Sequence, residues 1–317
     1  MISIIIPNYN KSNYIIESIG SVKKQSSNNW ECIIIDDCST DDSVFKIKSV
    51  IKNDDRFKLY INNKNKGGAF SRNIGIKKSS GKYIVFLDSD DILKKNCIED
   101  RFNKISSLNK FDFLVFPMNT FYQSIGDSSM VWDNFKDNHL QRFLSHDLPW
   151  HTMMLIWRKQ FLIKLGGFNL GFKRCQDVEL HTRALMDSNV KYDVCTGFSD
   201  CYFRISDERI NNVDHFIFSD LNGKAYYVNY FRNVLSNDKL RFLKGTIFEG
   251  YVSINNFYFK SKISKKHLYK YLNYFENSLN YQLNPIEKNI LNLYIKYIFL
   301  KIRIKGVNKI FKFFFIY

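Results

Sequence analysis

Gly81-Lys82-Tyr83-Ile84-Val85-Phe86-Leu87-Asp88-Ser89-Asp90-Asp91 is the stretch whose reading decides the fold. Gly81 and Lys82 open it, five apolar residues follow, and an acidic cluster closes it, which predicts a short buried strand. Side chains of an extended segment alternate faces, so Asp88 and Asp90 point the same way. Two carboxylates at a strand end make a hard-oxygen site for Mg²⁺ or Mn²⁺, ions that complete their shells with water and phosphate. A surface turn or a helix N-cap would also use Asp, and Asp91 reads as such a cap. Similar apolar runs lie at 2–6, 31–35, 57–61 and 113–116, with helical periodicity between them at 13–24, 41–51, 68–78 and 96–108. That alternation predicts parallel βαβ units in a doubly wound sheet. Ligands of such sheets sit beyond the carboxyl ends of the strands, where Pro7-Asn8-Tyr9-Asn10, Asp36-Asp37-Cys38-Ser39-Thr40-Asp41 and the Asp88 cluster stand.

Further along, 119–150 is polar and irregular, 152–157 reads as a strand, 178–186 as a helix, and 192–195 and 201–204 as closing strands. Each polar feature has a functional and a plain reading. Asp36-Asp37 accepts hydrogen bonds from a base or ribose, or simply starts a solvated loop. Lys66-Gly67-Gly68 enters a helix whose N-terminus favours anions, from which Arg72 reaches a phosphate or a pyrimidine. Asp177, at a helix start, is the candidate base for deprotonating an attacking hydroxyl, a role compatible with capping. Glu179 competes with it but lies about 200° further round the helix, so the two cannot face one site. Trp150 and His151 follow the long loop and are candidates for stacking on, and hydrogen bonding to, an acceptor sugar. Arg204 serves either a diphosphate or a salt bridge.

The bulk numbers narrow the class. The chain has 317 residues, 45% hydrophobic and 25% charged, enough for an α/β core plus a second module. Its net charge is +16, and the part from Asp207 onward carries 18 basic and 8 acidic residues. A basic surface attracts anions. No helix-turn-helix, RNP-like or zinc-finger pattern accompanies it, so nucleic acid is not an expected partner. Six cysteines form no CxxC pair, and no secretory segment precedes the first strand, which leads to the expectation of reduced thiols in a cytosol. No apolar run reaches the ~18 residues of a membrane span. Beyond about 206 the periodicity becomes helical through 213–234, 240–259, 266–282 and 286–304. The last segment, 301–317, joins five basic residues and no acid to Phe313-Phe314-Phe315-Ile316-Tyr317. It lies on an anionic membrane surface or packs as part of a helical subdomain or oligomer contact; both readings stay open at this point.

Five of these motifs occur in a fixed order: Pro7-Asn8-Tyr9-Asn10; Asp36-Asp37; Gly68 to Arg72-Asn73; Gly81 into Asp88-Ser89-Asp90-Asp91; and Gly166-Gly167-Phe168 before Gln176-Asp177-Val178-Glu179-Leu180 with Arg183. Together they resemble the family-two glycosyltransferases of GT-A fold, over roughly 1–205. The resemblance implies a Rossmann-like mixed sheet flanked by helices in a catalytic domain at 1–205; periodicity and charge, not the resemblance, add a mostly α-helical, basic region at 206–317. It implies that Pro7, Tyr9 and Asp37 hold the base, the tyrosine ring near uracil, and that Arg72 binds the donor. Asp88 then serves ribose and metal, Asp90 is the direct ligand of Mn²⁺ or Mg²⁺, and Asp177 is the base of an inverting single displacement. The partners implied are a UDP-sugar and a glycan acceptor of the polyprenyl-diphosphate-linked kind used in O-antigen or capsule synthesis. The expected place is the cytoplasm, extending to the cytoplasmic face of the inner membrane if the basic C-terminus takes the first of its two open readings; the resemblance itself does not reach that segment. Two positions depart from the family pattern: Gln176 replaces Glu, and Cys38 replaces Gly, where a cysteine needs a negative φ or strain and so predicts an altered turn. A sugar-phosphate nucleotidyltransferase would carry a glycine-rich loop where Pro7-Asn8-Tyr9-Asn10 stands. A non-catalytic nucleotide-sugar- or membrane-binding domain would have no need of Asp88, Asp90 and Asp177 together.

Overall fold

The computed structural model describes residues 1–108, 110–197, 199–205 and 212–316. In chain order the described elements are β1 (Ile2–Asn8), α1 (Ile15–Lys23), β2 (Trp30–Asp36), α2 (Ser43–Ile51), β3 (Phe57–Ile61), α3 (Gly68–Lys78), β4 (Tyr83–Phe86), β5 (Ile92–Leu93), α4 (Cys97–Leu108), β6 (Phe113–Val115), β7 (Met118–Phe121), β8 (Val131–Trp132), α5 (His139–Leu144), β9 (Leu155–Arg158), α6 (Lys159–Lys164), α7 (Gln176–Met186), β10 (Tyr192–Val194) and β11 (Cys201–Arg204). After these come α8 (Val213–Arg232), α9 (Asn237–Leu240), α10 (Leu243–Phe259), α11 (Lys265–Ser278), α12 (Pro285–Leu300) and α13 (Val307–Ile316).

The main sheet has the order β10-β6-β9-β4-β1-β2-β3. Ile2, Ile4, Ile5 and Ile6 of β1 are fully buried, as a central parallel strand covered on both faces requires. β1 pairs in parallel with β2 and β4, so Asn8, Asp36 and the residues after Phe86 reach the same edge. β9 breaks the parallel pattern: it runs antiparallel to both β4 and β6, which makes the sheet mixed. A smaller sheet, β5-β11-β7-β8, lies beyond the Asp88 loop in sequence. α3 packs on β1 through Gly75, where a Cβ would sit 2.3 Å from the Ile5 side chain. A larger residue there would force the helix off the sheet.

The stretch 119–150, read as irregular, contains the end of β7 together with β8 and α5. The stretch 152–157 is not one strand: Thr152–Met154 is a 3₁₀ turn, and the strand is Leu155–Arg158. Asp91 caps no helix. It precedes β5, and its Oδ1 accepts the Arg204 backbone N–H at 2.7 Å, tying the two strands of the smaller sheet together.

The chain divides into two compact units. One comprises Met1–Asp137, Pro149–Gly171 and Gln176–Ser206; the other comprises Asn138–Leu148, Phe172–Cys175 and Asp207–Tyr317. The second unit therefore recruits two short segments, Asn138–Leu148 and Phe172–Cys175, from before residue 206. The expected boundary at 205/206 falls at the edge of 206–211, which lie outside the described residues. Within the second unit the helices pack through aromatic rings, with Phe218 against Tyr271 at 5.1 Å and Tyr251 against Phe275 at 5.4 Å. α12 starts at Pro285 behind a capping box in which Asn284 and Glu287 satisfy each other's backbone N–H groups.

Candidate active site

The loops after β1, β2 and β4 share one edge of the sheet, and the first residues of α3 and α7 supply the remaining groups. Arg72, one turn into α3, joins them. Its Nη2 donates to Asp88 Oδ1 at 2.6 Å, and its Nη1 donates to Gln176 Oε1 at 3.2 Å. Gln176 thus keeps the acceptor oxygen that a glutamate would offer, without the charge. Next to Arg72, Asn73 exchanges two 2.8 Å hydrogen bonds with the Phe168 backbone. Gly167, at φ +70°, has room for no side chain, because a Cβ would lie 2.5 Å from Asn73 Oδ1. The Arg72-Asn73 pair, the Gly166-Gly167 turn and the Asp88 loop are one hydrogen-bonded unit.

Asp177 is the second residue of α7 and keeps 26% of its side-chain surface open. Its Oδ2 is 4.0 Å from His151 Nε2. Burial alone would push its carboxyl up; His151, His181, Arg72 and the Val178 N–H outweigh this and bring it below its ordinary value of 3.8. It is therefore a carboxylate at neutral pH. His181, one turn further on, is pushed down to about 4 by burial and is neutral there. His151 caps the 3₁₀ turn, with its Nδ1 accepting the Met153 N–H at 3.5 Å, which leaves Nε2 as the ring nitrogen near Asp177.

Glu179 has a different place. It is fully buried and takes a two-pronged grip from Arg183, with Nε to Oε1 at 2.6 Å and Nη2 to Oε2 at 2.8 Å. Arg183 also donates to the Gly167 and Leu165 carbonyls. This pair anchors the glycine turn on α7. Glu179→Gln should lower stability by about 3 kcal/mol, the scale for disrupting a buried ion pair. Denaturant melts read this, with UDP binding as a control for the site; a variant as stable as the parent would remove the structural role.

Asp90 is nearly buried, and its Oδ2 accepts a 2.8 Å hydrogen bond from Lys11 Nζ. Lys11 was not singled out in the sequence, because a contact spanning 79 positions leaves no local signal. Arg204, which reads as a diphosphate contact or a salt-bridge partner, forms a salt bridge here. It pairs with Glu17, donates to the Asp90 backbone carbonyl at 2.9 Å and lies over the Phe121 ring. It supports the acidic loop from behind.

At the other end of the site, Tyr9 is 45% exposed and Pro7 half-buried. Asp37 is buried and accepts from Asn62 Nδ2 at 2.7 Å, Lys66 N at 3.0 Å and Gly67 N at 2.6 Å, which pins the loop leading into α3. Asp36 accepts from Ser39 N and Oγ, closing a tight turn in which Cys38 sits at φ +65°. The altered turn expected from Cys38 does not occur: the backbone keeps the left-handed conformation, which costs a non-glycine residue roughly 1–2 kcal/mol. Trp150 does not offer a face to a sugar. It is 1% exposed, with its ring among Phe113, His181 and Tyr192. The half-exposed rings beside His151 are Trp132, at 6.2 Å, and Phe203, at 5.3 Å.

Comparison with known proteins agrees with this architecture. The family model described as Glycosyl transferase family 2 matches residues 3–162, half of the chain, and the chain belongs to that family. It is 40% identical over 213 residues to the Escherichia coli UDP-Glc:alpha-D-GlcNAc-diphosphoundecaprenol beta-1,3-glucosyltransferase WfgD, covering 67% of this chain and 80% of that protein. An uncharacterized glycosyltransferase of Rickettsia felis is 46% identical over 126 residues, covering 40% of this chain; the chain spans only 20% of that protein's length. Among solved structures, S. aureus TarS 1–349 in complex with UDP-GlcNAc matches with a TM-score of 0.62 at 18% identity, over 99% of this chain and 90% of that one. At that identity the likeness speaks for the GT-A fold.

Proposed function

We propose that the chain is an inverting glycosyltransferase that moves a sugar from a UDP-sugar to a hydroxyl of a glycan acceptor carried on a lipid diphosphate. The observation that carries this reading is the Arg72 bridge, which draws the Asp88 loop and the start of α7 into one site. Two similar proteins support the donor and acceptor class: WfgD is named for UDP-Glc and a diphosphoundecaprenol acceptor, and TarS is seen with UDP-GlcNAc.

In this reading Tyr9 lays its exposed ring against the base, and Asp37 acts beside Pro7 by shaping the loop that borders it. Arg72 faces the diphosphate. Asp177 accepts the proton of the acceptor hydroxyl as that oxygen attacks the anomeric carbon and the nucleoside diphosphate leaves from the opposite face. Its His151 neighbour steadies the carboxylate and lies beside the half-exposed Trp132 and Phe203, where an acceptor ring has aromatic surface to rest on.

A divalent cation fits the donor set in part. Asp88 and Asp90 are hard-oxygen ligands at one strand end, and among the described residues no group of three His, Cys, Asp or Glu side chains stands ready to hold an ion. Two carboxylates completed by donor phosphates and water match the usual way Mg²⁺ or Mn²⁺ is held beside a nucleotide. When bound there, the ion would neutralise charge on the leaving diphosphate.

Calorimetric titration with UDP, GDP and CDP, each with and without Mn²⁺, tests the reading. Uracil-selective binding that tightens at least about tenfold with Mn²⁺ is the expected result, a difference of ~1.4 kcal/mol. Failure to bind any of the three nucleotides would overturn it.

A further inference from the structure

The outer face of the last two helices is neither a core face nor an ordinary polar surface. On α12, Ile286, Leu293 and Leu300 recur every seven residues on one side of the helix, each more than half exposed. On α13, Ile310, Phe313 and Phe314 stand at i, i+3 and i+4, also more than half exposed. The opposite sides of both helices are already satisfied, because Tyr294 of α12 and Phe315 of α13 both pack on Phe248 of α10, at 4.6 and 5.8 Å. Both inner faces meet the same ring, so both outer stripes turn away from α10. The connection between the helices continues the pattern, with exposed Ile302 and Ile304 alternating with exposed Lys301, Arg303 and Lys305.

Charge says what covers this face. From Lys288 to the end the chain has seven basic residues and no acidic one. Among the described residues only Lys312 of the seven has a carboxylate partner, Glu249, at 2.7 Å. Lys296 lies within the α12 stripe and Lys309 beside the α13 stripe, both exposed. A second copy of this face would meet the apolar stripes but set these cations against one another, and the unit's own core would leave them without counter-charge. An anionic bilayer meets both demands, with apolar side chains entering the interface and lysines at the headgroups.

We propose that the outer face of α12 and α13, including the 301–306 connection, docks on the surface of an anionic membrane. No helix among the described residues is long and apolar enough to cross a membrane, so the contact is with the surface. It would place an enzyme of the proposed function where a lipid-linked acceptor resides, but it does not depend on that function.

Flotation of the full chain with vesicles of mixed phosphatidylglycerol and phosphatidylcholine, against vesicles of phosphatidylcholine alone, tests it. The expected result is binding to the mixed vesicles that falls at least about tenfold on pure phosphatidylcholine or in high salt. The double variant Phe313→Ser, Phe314→Ser alters exposed rings and should lower binding to the mixed vesicles about tenfold, with UDP affinity unchanged. Equal binding of parent and variant would overturn the proposal. So would a chain that stays off both vesicle types, or light scattering showing that the substitutions turn a dimer into a monomer with vesicle binding intact.

Discussion

Asp177→Asn is expected to lower turnover roughly 10²- to 10⁴-fold, the range that a positioned general base contributes, while leaving UDP affinity nearly unchanged. The asparagine keeps the size and hydrogen-bonding reach of the side chain and removes only its capacity to hold a proton. The Arg72 contacts to Asp88 and Gln176 do not involve Asp177, so the donor side should persist. Steady-state release of UDP, with separate UDP titrations, distinguishes the two effects. The pH profile carries a second sign. Because His151, His181 and Arg72 hold the carboxyl below its ordinary value, the active carboxylate form persists down to acid pH. The acid limb of kcat/KM should therefore fall below the usual carboxylate range. An Asp177→Asn enzyme within about threefold of the parent would reject the assignment, since general-base catalysis is worth far more than that. Loss of activity in Glu179→Gln with its stability intact would move the role to the other carboxylate.

β1, β2, β3, β4 and β6 were legible because each is a short apolar run closed by turn or acidic residues, and β3, α3 and β11 end where periodicity places them. The parts that escaped were too short or too indirect. α5 and α6 have six residues each, less than two turns, so no repeat of period 3.6 develops. β5 and β8 have two residues each and exist only through their partners. The direction of β9 is set by its neighbours β4 and β6, and local sequence does not encode it. In the site, types and order could be read: Asp88, Asp90, Arg72 and Asp177 all lie at strand ends or helix starts. Exposure could not. Nothing in Trp150-His151 says that the tryptophan is enclosed by rings while the histidine faces Asp177. Asp37 reads as a ligand-facing residue, but its carboxylate is held by the backbone of a loop some thirty positions away. Lys11 is the clearest case, because a flexible side chain reaching across the site leaves no mark on the sequence pattern.

That lysine sharpens the second large effect. Asp90→Ala should abolish stimulation by Mn²⁺ and cut metal-supported turnover by roughly 10³-fold or more, given what charge stabilisation of a leaving group is worth. The structural cost should be small. Arg204 holds the loop through the Asp90 backbone carbonyl, which the substitution leaves in place. Lys11, released from its 2.8 Å pairing, is partly exposed and can turn to water. A loss of activity therefore reports on the site and not on folding. Lys11 also occupies a place on Asp90 where a divalent cation would compete with it, since both are cations seeking one carboxylate. Binding of Mn²⁺ measured by its electron paramagnetic resonance signal, with UDP present, separates the two contributions. Asp90→Ala should bind the ion at least about tenfold more weakly, while Lys11→Gln, which removes the competing ammonium, should bind it more tightly than the parent. Full metal-dependent activity in Asp90→Ala would show that the acidic pair after β4 is a structural loop end, and would leave Arg72 to face the diphosphate without it.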